Sequence, residues 1–371
     1  MEEAVEICKL RLFLKLVAQV ERADEIEPLP DIDFNIRAGN TLVGYATYDD
    51  VKRAVTSKLD FEGALERIEQ KAQDVDRLFG LFRQQQTELG GEVTAADKQE
   101  LRKRLKSLDD ELNRYLAGEY GVNIKEKETY GKWVTSHKPF HWFIEFYGIM
   151  KKGGLDIVIG NPPWVEYSKV MKEYRVRNYD TESCGNLHGI CTERGLQIRS
   201  PYGRMSFIVQ LPLVSSSRMA AVRDVLRSSS SVLHVIPCDD RPGKLFEGLE
   251  HCRAVIWLSR GKGTRVDEGC QLWTTKYQRW PAEFRPLLFE QLQYAPATGE
   301  LIYADQFPKY ANGVENDIFA RVKSTGTETV GHWLSNQPTD RFIFYQEATQ
   351  YWVKATAGLP YYAKNGRVSA P

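Results

Sequence analysis

Leu155–Trp164, LDIVIGNPPW, is the stretch on which the reading of this sequence turns. Leu155, Ile157, Val158 and Ile159 form a short apolar, largely β-branched run that reads as a buried strand. Gly160 ends the run, and Asn161-Pro162-Pro163-Trp164 follows at once. With average residue frequencies, Asn-Pro-Pro-aromatic arises by chance at roughly one position in 100,000. The carboxyl end of a strand is also where open α/β sheets bind their ligands. The plain alternative is a rigid surface turn, since two prolines fix φ and remove donors.

On either side, strands and helices alternate. An aromatic helix, FHWFIEFYGIM (140–150), precedes the strand. Behind it come a helix over 186–198, a strand over 204–211, a helix over 215–227, and strands over 232–237 and 252–258. This order predicts an α/β domain with a mostly parallel, Rossmann-like sheet. Upstream, Ala4, Val5, Cys8, Leu12, Leu16 and Val20 recur at helical spacing with no capping residue before them, so the chain reads as opening inside an amphipathic helix. FNIRAGNTLV (34–43) reads as a short strand running into a loop.

Between about 45 and 134 the sequence turns highly charged and helix-forming. Phe61, Leu65, Ile68, Ala72, Val75, Phe79 and Phe82 step by threes and fours, as do Leu101, Leu105, Leu108, Leu112 and Tyr115. Gly90-Gly91 marks a turn, and 94–97 starts a new helix. The pattern predicts a helical hairpin with a coiled-coil-like seam, a structural arm inserted in the core. From about 269 the pattern loosens into aromatic, Pro- and Gly-punctuated sequence. The divisions are therefore 1–45 (partial core), 46–135 (helical insertion), 136–268 (core with the motif) and 269–371 (a further region).

The 371 residues are 42% hydrophobic and 27% charged, with a formal net charge of zero. Neutrality excludes a wholesale basic coat but leaves room for a local basic groove. The six cysteines include no C-x-x-C pair, which fits a reducing cytosol. No apolar run is long enough to cross a bilayer, so the expectation is a cytoplasmic protein with no membrane partner.

Asn-Pro-Pro-Trp after an apolar strand resembles the catalytic motif of adenine-N6 DNA methyltransferases. PLPDIDFNIRAGNTLVG, HWFIEFYGIMKKGGLDIVIGNPPW, CGNLHGICTER and DDRPGKLFEGLEH resemble, in family order, the fused restriction-and-modification (type IIG) enzymes. The resemblance implies methyl transfer from S-adenosylmethionine to adenine-N6 in double-stranded DNA, with the adenine flipped out of the helix. It also implies a glycine-rich cofactor loop and an acidic position ahead of a helix like MEEAVEICKLRLFLKLVAQ, so this chain reads as beginning just after them. The region from 269 resembles the start of a target-recognition domain, with Tyr345, Tyr351, Trp352, Tyr361 and Tyr362 among its aromatics.

The chemistry accounts for the residue types. An adenine amine is a poor nucleophile because its lone pair is delocalised into the ring. Acceptors placed against its two N–H bonds, the Asn161 side-chain oxygen and the Pro162 carbonyl, pull the nitrogen toward tetrahedral geometry by electrostatic pre-organisation. Pro163 stiffens the loop, and Trp164 offers a face for an extruded base. The resemblance sets Asn40 near the adenine edge of the cofactor, with a turn residue as the equal alternative. It sets Phe246 against the far side of the base, with core packing as the rival. Lys169, Lys172, Arg175 and Arg177 could contact DNA phosphates or merely line a solvated loop. Arg218, Arg223 and Arg227 read as surface residues. Cys184, His188 and Cys191 would share a helix face at zinc-like spacing, but no fourth ligand is near and no metal is assigned. Two alternatives stay open: an inactive, DNA-binding remnant of such an enzyme, and a protein-glutamine methyltransferase, which also carries Asn-Pro-Pro-aromatic. The long helical insertion argues against the second.

Overall fold

A computed structural model of the chain describes residues 2–22, 35–56, 62–87, 95–246, 248, 252–264, 268–297 and 305–326, with 328, 332, 334–335, 341, 343–345 and 355–356. The Gly90-Gly91 turn and the tail aromatics Tyr351, Trp352, Tyr361 and Tyr362 lie outside the described residues. Two compact units are present, Met1–Asn316 and Asp317–Pro371. In the second, a strand Phe344–Tyr345 pairs antiparallel with Ala355–Thr356.

The first unit is built on six strands: β1 (Leu155–Gly160), β2 (Arg199–Gln210), β3 (Ser230–Cys238), β4 (Ala254–Gly261), β5 (Gln271–Thr274) and β6 (Ala295–Ala297). Their order across the sheet is β1-β2-β4-β3-β5-β6. β1 runs parallel to β2 and β3 parallel to β5, while β4 lies antiparallel between β2 and β3. Four strands thus share one direction, giving a mixed α/β, Rossmann-like sheet whose β1, β2 and β3 end on the same edge. β5 and β6 belong to this sheet, so the division expected near 269 falls inside it.

One face of the sheet is covered. Met205, Phe207 and Val209, with Leu233, Val235, Val255 and Trp257, pack in one core with Ile190 of α9 (Leu187–Ile198) and Val222 and Leu226 of α10 (Ala220–Ser228). Each such side chain contributes about 1.5–3 kcal/mol on burial. The other face is open at β1, where Ile157 and Ile159 are 68% and 81% exposed. The edge of β1 away from β2 pairs with nothing among the described residues.

A second core is helical. α1 spans Glu2–Val17, α2 Tyr48–Thr56, α3 Glu62–Thr87, α4 Ala95–Glu119 and α5 Lys127–His137. Ile68, Ala72 and Val75 of α3 share that core with Leu101, Leu105, Leu108 and Leu112 of α4, the seam that the spacing predicts. α1, by contrast, leaves Ile7, Leu10, Phe13 and Leu14 exposed and buries no stripe. The aromatic helix expected after Pro139 divides into α6 (Trp142–Glu145) and α7 (Tyr147–Lys151), because Phe146 leaves helical geometry at φ −131° and ψ 44°. The strand expected over 34–43 is not formed by residues 35–43, which turn instead. There the Asn40 amide oxygen accepts the Leu42 N–H, and Gly39 lies so close to Phe140 that a Cβ would meet its ring at 2.5 Å.

Where α4 meets α6, His141 is fully buried. Its Nδ1 accepts the Tyr45 backbone N–H at 3.1 Å, its Nε2 meets the Asn113 amide oxygen at 3.1 Å, and Asp109 lies 4.0 Å away. Burial holds His141 down at about 3 and pushes the Asp109 carboxyl up to about 7, helped by the charge of Glu145. A carboxyl whose folded pKa is raised binds its proton more tightly when folded, so its contribution is present below about pH 4 and lost as pH rises through 7. Asp109→Asn therefore raises stability more at pH 8 than at pH 5, by about 1 kcal/mol, as a third of the side chain still meets water. Thermal melts at the two pH values check this; equal gains would refute it.

Candidate active site

The site grows from the carboxyl end of β1. Asn161 is exposed and its amide has no hydrogen-bond partner among the described residues; Pro162 is buried, Pro163 is exposed, and Trp164 is half-buried. The Trp164 indole N–H donates to the Ile208 carbonyl of β2 at 3.2 Å, which fixes the plane of the ring. Behind it the chain is strapped to the approach of α9: the Tyr167 N–H donates to the Gly185 carbonyl and the Leu187 N–H to the Val165 carbonyl, both at 2.9 Å. The Arg218 guanidinium closes this strap on Glu166 at 2.8 Å and holds that carboxyl below its usual range.

α9 is the hub of the region. Asn186 caps its N-terminus by accepting the His188 N–H, and its amide donates to Gln210 at the end of β2. One turn from its end, Glu193 accepts the backbone N–H groups of Asp180 and Thr181 and the Thr181 hydroxyl. Arg194 reaches the other way, donating to the Tyr179 hydroxyl at 2.7 Å and the Gly44 carbonyl at 3.0 Å. The loop after Trp164 and the segment after Asn40 are therefore both tied to one helix. In the sequence the trace of these roles is Glu193-Arg194, a charged pair in a helix with no other Asp, Glu, Lys or Arg.

From the opposite side comes the loop after β3. Phe246 meets Trp164 edge to face, with centroids 5.5 Å apart and planes at 86°. That loop is anchored by Asp239, which takes Arg279 at 2.6 Å and Arg253 at 3.3 Å, and by the Gly243 N–H on the Trp280 carbonyl. Arg279 and Trp280 lie in sequence expected to be a different region, which is why residue spacing could not find them.

Lys169, Lys172, Arg175 and Arg177 are all exposed. The Arg175 carbonyl accepts the Tyr120 hydroxyl at 3.0 Å, and the Arg177 guanidinium lies 5.5 Å from the centre of the same ring. Arg223 corrects an expectation: it is 1% exposed, not a surface residue, because Asp305 and the carbonyls of Leu213 and Ser216 satisfy its guanidinium inside the fold. Cys184 likewise sits in a separate 3-10 turn, Asp180–Cys184, ahead of α9, and so cannot share its face with His188 and Cys191. Both His188 ring nitrogens are buried without a hydrogen-bond partner among the described residues, and desolvation holds the ring down at about 4.

Asn40 is the residue that the resemblance sets beside the methyl donor. The Asn40 oxygen is committed to its own turn, and Gly39 packs on Phe140 rather than opening onto a ligand. Asn40 thus acts as a turn residue in this structure, with its side-chain oxygen on the Leu42 N–H.

A stiff loop bearing an unpartnered amide and a braced aromatic face, at the ligand edge of an α/β sheet, defines an enzyme-like binding edge. The chain belongs to the Eco57I restriction-modification methylase family, whose model matches residues 1–242. Over 203 residues it is 28% identical to a putative type II restriction enzyme and methyltransferase, RM.MjaORFECS2P, of Methanocaldococcus jannaschii, a match covering 43% of this chain and 17% of that protein. The chain thus spans less than a fifth of that relative. Among solved structures it is similar to a modification subunit of a putative type I restriction enzyme from Vibrio vulnificus, at 12% identity, TM-score 0.30, and 44% and 39% coverage of the two chains. It is similar also to a nuclease-deletion mutant of the Type ISP restriction-modification enzyme LlaGI in complex with a DNA substrate mimic, at 11% identity, TM-score 0.33, and 63% and 26% coverage.

Proposed function

We propose that this chain is the amine-binding part of an adenine-N6 DNA methyltransferase of a type IIG-like restriction-modification system. The observation that carries the reading is the unpartnered Asn161 amide at the carboxyl end of β1, with Trp164 locked beside it by the Ile208 carbonyl. The Asn161 oxygen and the Pro162 carbonyl accept the two N–H bonds of the target amine and free its lone pair. Trp164 stacks on the extruded base, a contact worth about 1–3 kcal/mol.

Phe246 closes the other side of the base. A base held between two ring faces needs about 7 Å, two contacts of about 3.5 Å each. The rings now meet edge to face at 5.5 Å, so Phe246 must swing aside as the base enters. Its loop is anchored through Asp239, Gly243 and the Leu245 carbonyl, which accepts from Arg285 at 2.7 Å, so the swing is a rotation of the Phe246 side chain. Lys169 in the short helix α8 (Tyr167–Val170), with Lys172, Arg175 and Arg177 beyond it, faces solvent; these are the side chains that would meet DNA phosphates rather than base edges. S-adenosylmethionine is the donor that the family implies, supplying an electrophilic methyl group when bound. The region from 269, with Tyr345, would take part in target recognition, and the cytoplasm is the compartment where such DNA is met.

The test, made with this chain as part of a protein that includes the glycine-rich cofactor loop, is transfer of labelled methyl groups from S-adenosylmethionine to mixed duplex DNA, followed by hydrolysis to nucleosides. Label in N6-methyladenine supports the reading. Label in protein glutamine, or none in DNA while duplex is still bound, would sink it; the second result would leave a DNA-binding remnant.

A further inference from the structure

The helical hairpin carries a concave, positively charged groove that the amine-binding loop does not use. A surface pocket of about 660 Å³ is lined by Lys103, Lys106 and Arg114 on the outer side of α4 and by Arg67 and Lys71 of α3, against Asp110 and Glu111. Five cations face two carboxylates there, although the whole chain carries zero net charge. Glu111 is already engaged, by Lys71 at 2.7 Å and Arg67 at 3.4 Å. Lys103, Lys106 and Arg114 are exposed and form no ion pair among the described residues.

Their spacing gives the surplus a direction. Positions 103, 106, 110 and 114 step by three and four, so they line one face of α4, turned away from the buried Leu101, Leu105, Leu108 and Leu112. From Lys103 to Arg114 that face is about 16 Å long at 1.5 Å per residue. A DNA strand presents a phosphate every 3.4 Å or so of helix axis, so the stripe can lie along about five of them. Asp110 sits in the same stripe, four residues from Lys106 and four from Arg114, so the stripe carries a surplus of two positive charges and the whole lining a surplus of three.

α4 also points the groove toward the site. Its far end holds Tyr120, whose hydroxyl donates to the Arg175 carbonyl and whose ring lies under Arg177. From Lys103 to Tyr120 is about 26 Å, or between seven and eight base pairs of duplex axis. We infer that the α3–α4 groove holds the sugar-phosphate backbone of duplex DNA on one flank of the target base, as an extension of the basic loop 169–177. This rests on the reading of the chain as a DNA methyltransferase.

The test uses the whole chain and a duplex of about 30 base pairs, with affinity followed by fluorescence anisotropy across a salt series. The triple variant Lys103→Gln, Lys106→Gln, Arg114→Gln lowers the slope of log K against log salt by about 2.7, three released counterions at about 0.9 each. The charge-keeping variant Lys103→Arg, Lys106→Arg, Arg114→Lys retains the slope, which separates lost charge from lost fold. An unchanged slope in the triple Gln variant overturns the inference, and so does an original chain that does not bind duplex. Loss of binding to polyglutamate with duplex binding unchanged also overturns it, and assigns the groove to an acidic protein. A slope that falls as expected while no N6-methyladenine forms supports the groove and counts against the catalytic reading alone.

Discussion

Asn161→Ala reduces methyl transfer to adenine by about 10²–10³-fold, the loss found when one pre-organised polar partner of a transition state is removed. Duplex affinity and melting temperature stay where they are. The side chain is exposed and bonds to nothing among the described residues, so its removal leaves no buried group unsatisfied. Surface changes of that kind stay within about 0.5 kcal/mol. Single-turnover transfer of labelled methyl groups, with a thermal melt of the variant, decides the matter. A variant that keeps a third of the rate would remove Asn161 from the mechanism.

Arg223→Ala lowers stability by about 3–5 kcal/mol, the cost of breaking a buried, hydrogen-bonded charge pair. The guanidinium is 1% exposed and serves four acceptors: the carbonyls of Leu213, Ser216 and Asp305, and the Asp305 carboxylate at 3.0 Å. Through Asp305 it fastens the chain near 305–307 to the end of β2, where the Phe307 N–H donates to the Val214 carbonyl. Asp305→Asn is milder, about 1–2 kcal/mol, because that carboxylate is a third exposed and the arginine keeps three carbonyls. Thermal melts in the same buffer rank the two. Equal losses would mean that the ion pair, not the carbonyl cradle, is what holds α10.

The motif and its strand were readable because their signals are local. LDIVIG forms β1 as its apolar run predicts, although Ile157 and Ile159 stay exposed where a buried strand was expected, and Asn186 opens α9 where a capping residue should. The α3–α4 seam was equally plain, since 3.6-residue periodicity survives any tertiary arrangement. Misreadings came where a partner distant in sequence decides the outcome. FNIRAGN has strand-forming residues, yet Asn40 takes the Lys138 carbonyl through its backbone and turns the chain. Arg223 looks like any helix-surface arginine until Asp305, 82 residues on, is placed beside it. β5 and β6 sit in sequence too loose to read as core, and pairing with β3 makes them so.

What the residue order establishes here is chemical: paired acceptors and an aromatic ring follow a strand, and a charged helical arm interrupts the core. Folding adds the placement. It sets Phe246 against Trp164, ties the loop to α9 through Gly185 and Leu187, and gathers the α3 and α4 cations into one recess. Spacing along a chain governs which side chains share a helix or strand face, whereas contacts across elements depend on how burial of apolar surface packs those elements together.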